Sequence, residues 1–524
     1  MNAPRTLFCA ALVAAAAVVC ATPARAVDRS LGADVPKPVV TGTPWTDAEI
    51  TSLSANLDLD LAGAKTLRGA HVGIYMIDAR DGRVLYERNA DDAFQPASTF
   101  KLVTGNAALD TLGPAFRFHT EVVANGPVAN GGLQGDLILR GGGDPFLNMH
   151  DLDAAADAVA KAGITRVDRD VAIDDAHFEP PSYQPGWNWD DFPYYYAPLI
   201  SGLTFEENVV SLAISPGATV GAPVQVTATP VGTVGVPLAS CSPDVGVRVV
   251  VDATTGAADA KDTIDIDRLP SGCIRVTGTI PLGAKVDHVD AAVPSPAAYA
   301  YAAFVAALQA HGVQVQSVPA MTGPWPSAYE HRFAGAASPA AKSVWSHDSE
   351  PLSDTLADLW LPSDNLVAEL LLRQLGYADG GAPGTAAHGI AHEITWLKSL
   401  GIDTDAGLSV DDGSGLSVYD RITPRDEVTI LKHEWDGPNR DLVLDDLPIA
   451  GVRGSLRRAF VGSAAEKHVF AKTGSVSHVS TLAGYLANAK HGAVIFAFQV
   501  DDWVGAASDL NDLRARFLSA VVEN

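Results

Sequence analysis

Ser98-Thr99-Phe100-Lys101 opens the segment STFKLVTGNAALDTL, residues 98–112, whose composition and apolar spacing predict a helix from Ser98 to about Leu112. Ser-x-x-Lys occurs once in the chain. A serine at a helix start lies beside unpaired backbone N–H groups and the positive end of the helix dipole. Three residues on, Lys101 returns to the same face, so a hydroxyl and an amine can meet through local geometry alone. A serine needs a base to attack an acyl carbon, and a desolvated, neutral lysine can supply one. Read in isolation, the same residues describe a serine N-cap and an exposed lysine, a common arrangement.

Upstream, Asp47–Leu61 is predicted helical with Thr46 as N-cap. Two strands follow, His71–Asp78 and Arg83–Arg88, joined by an Asp81-Gly82 hairpin turn. Downstream, from about Phe116 to Asp290, short alternating segments dominate, among them 136–140, 209–214, 224–228 and 247–251, with one helical exception at 151–162. This is a mostly β insert. From Ser295 the helical period returns at 296–311, 353–360, 365–375 and 386–400. Late strands are expected at 469–473, 480–486 and 493–500, and an amphipathic helix at 509–522. Strands near both ends imply one sheet built from the two termini. The expected division is thus 1–26 leader, 27–115 first catalytic part, 116–290 insert with boundaries within 20 residues, and 291–524 second catalytic part.

The leader reading rests on Arg5, the apolar run Leu7–Ala21 and the small-residue site Ala24-Arg25-Ala26, the layout of a secretory signal peptide. A lipoprotein anchor on Cys20 fits less well, because bulky Val19 precedes it. No later stretch reaches the ~20 apolar residues of a membrane span, so a secreted, periplasmic protein is expected. Cys9 and Cys20 leave with the leader. Cys241 and Cys273 remain, either as one disulfide or as two buried thiols. The formal net charge of -26 argues against nucleic-acid and anionic-lipid partners. His388 and His392 lie one helical turn apart beside Glu393, but the order is not His-Glu-x-x-His, so no metal and no cofactor are expected. Asp411-Asp412 reads as a turn start.

Two further clusters place small polar groups at element starts. Ser363-Asp364-Asn365 precedes an apolar helix and doubles as an N-cap sequence. Lys472-Thr473-Gly474-Ser475 ends one strand and precedes another, as a surface hairpin would. Their order, Ser-x-x-Lys, Ser-x-Asn, Lys-Thr-Gly, resembles the signature of the penicillin-recognising serine acyltransferases. The 265 residues between Ser98 and Ser363 leave room for the insert, and 109 separate Ser363 from Lys472. Gly141-Gly-Gly-Asp-Pro145, the Trp187-to-Pro198 aromatic stretch, Leu203–Asn208, Asp412-Gly-Ser-Gly-Leu-Ser417 and Leu447–Gly451 extend the likeness over nearly the whole mature chain. Together they resemble the class C, type-4 penicillin-binding proteins, the D-alanyl-D-alanine carboxypeptidase/endopeptidases of peptidase family S13.

That resemblance implies an α/β (α+β) fold of the penicillin-binding-protein and serine β-lactamase type, carrying a mostly β insert. It implies Ser98 as nucleophile, Lys101 as base, Ser363 as proton relay and Asn365 as a group orienting Lys101 and the substrate amide. Lys472 is expected to lower the pKa of Lys101 and, with Thr473, Gly474 and Ser475, to receive the terminal carboxylate. The N–H groups of Ser98 and Ser475 would form the oxyanion hole, where loss of one donor costs about 10²–10³ in rate. Trp187 and Asp190 would meet the amino end of diaminopimelate. Val418 departs from the family pattern, which carries a basic residue there; Arg421 or Arg453 could stand in. The partners implied are peptidoglycan peptides, with β-lactams as inhibitors. The alternatives are a β-lactamase or esterase on the same fold, for which no Glu-x-x-x-Asn deacylation motif is evident, and a non-catalytic wall-binding protein.

Overall fold

The computed structural model describes residues 35–236, 247–315, 333 and 335–524. The leader lies outside them, as does Cys241. Cys273 is buried and disulfide-bonded.

Five strands form the central sheet: β1 (His71–Asp78), β2 (Val84–Arg88), β3 (Val469–Val476), β4 (Val479–Asn488) and β5 (Gly492–Asp501). The order β2-β1-β5-β4-β3 is antiparallel throughout. The two termini therefore share one sheet, as the sequence predicts. Side chains alternate across it with period two, and both faces are buried. Tyr75 and Ile77 of β1 and Ile495 and Ala497 of β5 face one apolar cluster. Ile74, Met76, Phe496 and Phe498 face the other. The second face is covered by helices Asp47–Gly63 and Ala507–Glu523, the former opened by a Thr46–Glu49 capping box. The first face carries the helix Lys101–Leu112 together with Leu352–Trp360, Asn365–Gly380 and Pro424–Asp436. Each large apolar side chain sealed in these layers contributes about 1.5–3 kcal/mol.

The insert is built on a four-stranded sheet whose order is Lys342–Asp348, His119–Asn125, Asp136–Arg140, Val171–Asp174. Helices Met149–Lys161 and Pro296–Ala310 share its core. Four further sheets among the described residues complete it, among them one around Val209–Ser215 and one around Arg248–Val251. Beyond residue 290 the chain still packs on the insert. Helix Pro296–Ala310 buries Tyr299, Ala300 and Phe304 against insert residues such as Val122 and Leu139, and strand Lys342–Asp348 pairs with His119–Asn125. Packing and pairing thus assign the chain to the insert as far as Asp348, and the catalytic body resumes with Leu352–Trp360.

Candidate active site

The helix predicted from Ser98 is resolved into two pieces. A 3₁₀ turn covers Ala97–Phe100, and the α-helix begins at Lys101. Ala97 holds a positive φ of 47° immediately before the serine, and Ser363 holds one of 72°. For residues with a Cβ, such backbone costs about 1–3 kcal/mol and persists only where the surroundings impose it. Both strained residues sit at the same cleft.

Lys101 is fully buried, and three oxygens surround its Nζ: Ser98 Oγ at 2.9 Å, Asn365 Oδ1 at 2.6 Å and the Ser414 carbonyl at 2.8 Å. Trp360 Nε1 donates to the Lys101 carbonyl at 3.0 Å, fixing the start of the helix. Asp364 caps the helix Asn365–Gly380 through Val367 N–H, which sets Asn365 at the first turn facing Lys101. Burial pushes Lys101 down from its ordinary 10.5 to about 8, against the opposing pull of the Asp412, Asp364 and Glu369 carboxylates.

Lys472, on β3, is also fully buried and donates to Ser363 Oγ at 2.8 Å and to the Thr473 carbonyl at 2.7 Å. Burial first, and the charge of Lys101 second, push it well below its ordinary range. The sequence led us to expect Lys472 to depress Lys101. Desolvation is the leading cause at both lysines, and the repulsion between their two ammonium groups is shared by the pair. Thr473 and Ser455 share a hydrogen bond at 2.6 Å, and Ser475 is exposed at the rim.

Two glycines record how closely the elements approach. A Cβ on Gly474 would stand 2.1 Å from Thr481 Oγ1 and 2.9 Å from Ser98 N, so β3 runs directly past the serine. A Cβ on Gly415 would stand 1.8 Å from the Ala97 carbonyl, and its φ is +76°. The loop 412–417 can pass behind the nucleophile only with glycine at that position.

Asp412 is more than the turn start its sequence suggests. It is fully buried, and its carboxylate accepts from the N–H groups of Ser414 (2.9 Å), Gly415 (2.6 Å) and Ser417 (2.8 Å) and from Ser414 Oγ (3.0 Å). Glu369 accepts from Gly413 N–H and Ser414 N–H at 2.9 and 3.0 Å and packs against Arg373. Burial, and then Asp412, push the Glu369 carboxyl up to about 7. The sequence reading missed the carbonyl of Ser414, Glu369 and the carbonyl of Tyr196, which accepts from Asn365 Nδ2 at 2.7 Å. The repeated glycines of Asp-Gly-Ser-Gly were the one available signal for the loop.

Trp187 is brought to the cleft, but it is only 7% exposed and its indole N–H donates to Asp412 Oδ2 at 2.8 Å. Asp190 is exposed. Of the two arginines that could replace a basic residue at Val418, Arg453 is buried and spent on the carbonyls of Leu444, Asp445 and Leu447. Arg421 donates to the carbonyls of Val418 and Asp420. His392 bonds Thr111 Oγ1 and Asp379, each at 2.8 Å.

This geometry can do acyl chemistry: a hydroxyl touching a buried amine, a second amine joined to a second hydroxyl, and a strand edge beside the backbone N–H of Ser98. A family model described as the D-Ala-D-Ala carboxypeptidase 3 (S13) family matches residues 53–519. The D-alanyl-D-alanine carboxypeptidase of Actinomadura sp. strain R39 is 34% identical over 456 residues, covering 84% of this chain and 79% of its own. The D-alanyl-D-alanine carboxypeptidase DacB of Haemophilus influenzae is 26% identical over 444 residues, covering 84% and 88%. The crystal structure of penicillin binding protein 4 from Haemophilus influenzae superposes with a TM-score of 0.74 at 23% identity, over 90% of this chain and 99% of that one.

Proposed function

This chain belongs to the D-Ala-D-Ala carboxypeptidase 3 (S13) family, and from that premise we propose how its cleft performs the reaction. The activity is that of a serine-type D-Ala-D-Ala carboxypeptidase. The carrying observation is the set of three oxygens around Lys101 Nζ. A neutral lysine has two N–H bonds and one lone pair. Asn365 Oδ1 and the Ser414 carbonyl can only accept, so they take both N–H bonds. The lone pair is left facing Ser98 Oγ–H at 2.9 Å, which is the orientation a general base requires.

Ser98 Oγ attacks the carbonyl carbon of the penultimate D-alanine while its proton passes to Lys101 Nζ. The developing oxyanion lies between the N–H groups of Ser98 and Ser475. The C–N bond then breaks, and Ser363 Oγ, held by Lys472, relays to the departing amine the proton that Lys101 took from Ser98, so that Ser363 keeps its hydroxyl and Lys101 is neutral again for the attack of water. Water hydrolyses the acyl-enzyme and frees Ser98. The terminal carboxylate sits with Lys472, Thr473 and Ser475. An anion beside Lys472 favours its ammonium form, and that cation in turn favours neutral Lys101. Substrate binding therefore primes the base.

The same acyl transfer, with a D-Ala–diaminopimelate bond as donor, gives D,D-endopeptidase activity. A β-lactam enters by the same attack, and its leaving group stays tethered. Asp190, which is exposed, would meet a substrate ammonium, and Trp187 is buried. Export to the periplasm follows from the leader, and no helix among the described residues is long and apolar enough to cross a membrane. The test is incubation of the mature protein with purified monomeric and cross-linked muropeptides, alongside a fluorescent penicillin. Release of D-alanine and Ser98-dependent labelling are expected. Absence of labelling, with Ser98→Ala behaving as the native protein, overturns the reading.

A further inference from the structure

Two hydrogen-bond chains run from the insert to Lys101. In the first, Trp187 Nε1 donates to Asp412 Oδ2 at 2.8 Å, and the same oxygen accepts from Ser417 N–H and Ser414 Oγ. The loop 412–417 is wound around this carboxylate, and its Ser414 carbonyl is an acceptor for Lys101 Nζ at 2.8 Å. In the second, the Tyr196 carbonyl accepts from Asn365 Nδ2 at 2.7 Å, and Asn365 Oδ1 accepts from Lys101 at 2.6 Å. A side-chain amide whose NH₂ is engaged on one side must present its oxygen on the other. Were Tyr196 displaced, Asn365 would be free to turn its NH₂ toward the lysine and the base would lose an acceptor.

Both chains start on one aromatic segment of the insert. Tyr183 stacks on Phe192 with centroids 3.6 Å apart, and Tyr196 Oη donates to Asp191 at 2.9 Å. The Trp187 ring is buried with Ile200, Leu366 and Leu370, so the segment is clamped to the helix that Asn365 begins. Of the five donors that hold this buried carboxylate, four belong to the loop 412–417 itself and Trp187 comes from the insert, which makes its N–H more than a packing detail.

We propose that the insert is a positioning element for the general base: Trp187, through Asp412 and the Ser414 carbonyl, and the Tyr196 carbonyl, through Asn365, aim the lone pair of Lys101 at Ser98. Trp187 is then a positioning residue rather than a substrate contact. The proposal rests on Lys101 as the base of the reaction proposed above.

The first of two variants removes one N–H and nothing else. Trp187 is replaced by β-(3-benzothienyl)alanine, a tryptophan isostere with sulfur in place of the indole N–H, and separately by Phe. Stopped-flow acylation with a chromogenic β-lactam separates the acylation rate constant from the dissociation constant. Both variants are expected to lose about tenfold in the acylation rate constant, the size of one lost hydrogen bond to a charged acceptor, with the dissociation constant unchanged. The isostere is expected to melt within a few degrees of the native protein. An isostere that acylates at the native rate overturns the proposal. So does a loss confined to the dissociation constant, which would make Trp187 a substrate contact. Failure of the native protein itself to acylate would instead overturn the family-based mechanism, so the two failures are distinguishable.

Discussion

Acylation of Ser98 is expected to rise with pH and to level off near pH 9. As the proposed base, Lys101 would act only when neutral, and burial, opposed by the nearby carboxylates, brings its pKa down to about 8. The neutral fraction is then about 1% at pH 6, about 9% at pH 7, about 50% at pH 8 and about 90% at pH 9. The second-order acylation constant measured at low β-lactam, which reports the free enzyme, should follow these fractions: about ninefold from pH 6 to 7, about fivefold from 7 to 8, and less than twofold beyond. The sign follows from the cause, since desolvation disfavours the ammonium and brings the base into its active form below the ordinary lysine range. Asp364 offers a clean perturbation. Its carboxylate holds the Lys101 pKa up, while its oxygen caps the helix at Val367 N–H. Asparagine is an equally good cap without the charge. Asp364→Asn should therefore leave the fold intact and move the midpoint of the profile below 8. Each unit of that movement is about 1.4 kcal/mol in the lysine equilibrium. A full unit raises the neutral fraction at pH 7 from about 9% to about 50%, a roughly fivefold faster acylation. The assay is stopped-flow fluorescence with a reporter β-lactam between pH 6 and 9, with melting temperature measured on the same samples. A profile that is flat or falling over this range refutes the assignment of Lys101 as base. A midpoint that stays put or moves upward in Asp364→Asn refutes the electrostatic account.

Gly474→Ala would drive a methyl group to within 2.1 Å of Thr481 Oγ1 and 2.9 Å of Ser98 N, prising β3 from the serine; penicillin labelling should fall by about 10²–10³ while circular dichroism stays native. Buried Glu434 has its carboxyl pushed up to about 8 by burial and then by Asp110. It therefore prefers to fold neutral, whereas the unfolded chain ionises near 4.5, so between those values the folded state binds more protons and stability falls as pH rises. Glu434→Gln should remove that loss, with a melting-temperature advantage over the native protein that grows from pH 5 to pH 8.

The features legible in the sequence are those whose physics is local. Ser98 and Lys101 are three residues apart, and a helix start suffices to bring them together. Asp364 announces the helix Asn365–Gly380 as its N-cap, and the apolar runs of β3, β4 and β5 announce a sheet buried on both faces. The insert's far edge was not legible. Lys342–Asp348 (KSVWSHD) is polar and largely exposed, and only its ladder with His119–Asn125 reveals where it belongs. Helix Pro424–Asp436 went unread although Thr423 caps it and Pro424 takes its first position, because its apolar residues, Val428, Ile430, Leu431 and Trp435, are scattered among charges.

The base shows why a motif can be complete in sequence and still underspecify a site. Ser98 is three residues from Lys101, but the other two oxygens on its amine come from 264 and 313 residues away, and each is oriented by the insert. With Ser98 alone, a buried lysine could direct any of its N–H bonds at the hydroxyl, and a donor cannot remove a proton. Two fixed acceptors convert the same pair into a base and its acid. On the proposal above, the Ser-x-x-Lys spacing gives proximity and the insert supplies direction. An insertion of this size is retained in physical terms if removing it exposes Leu366 and Leu370 and also leaves Asn365 and Asp412 without their partners, so that excising the insert would abolish acylation even in a protein whose central sheet still formed.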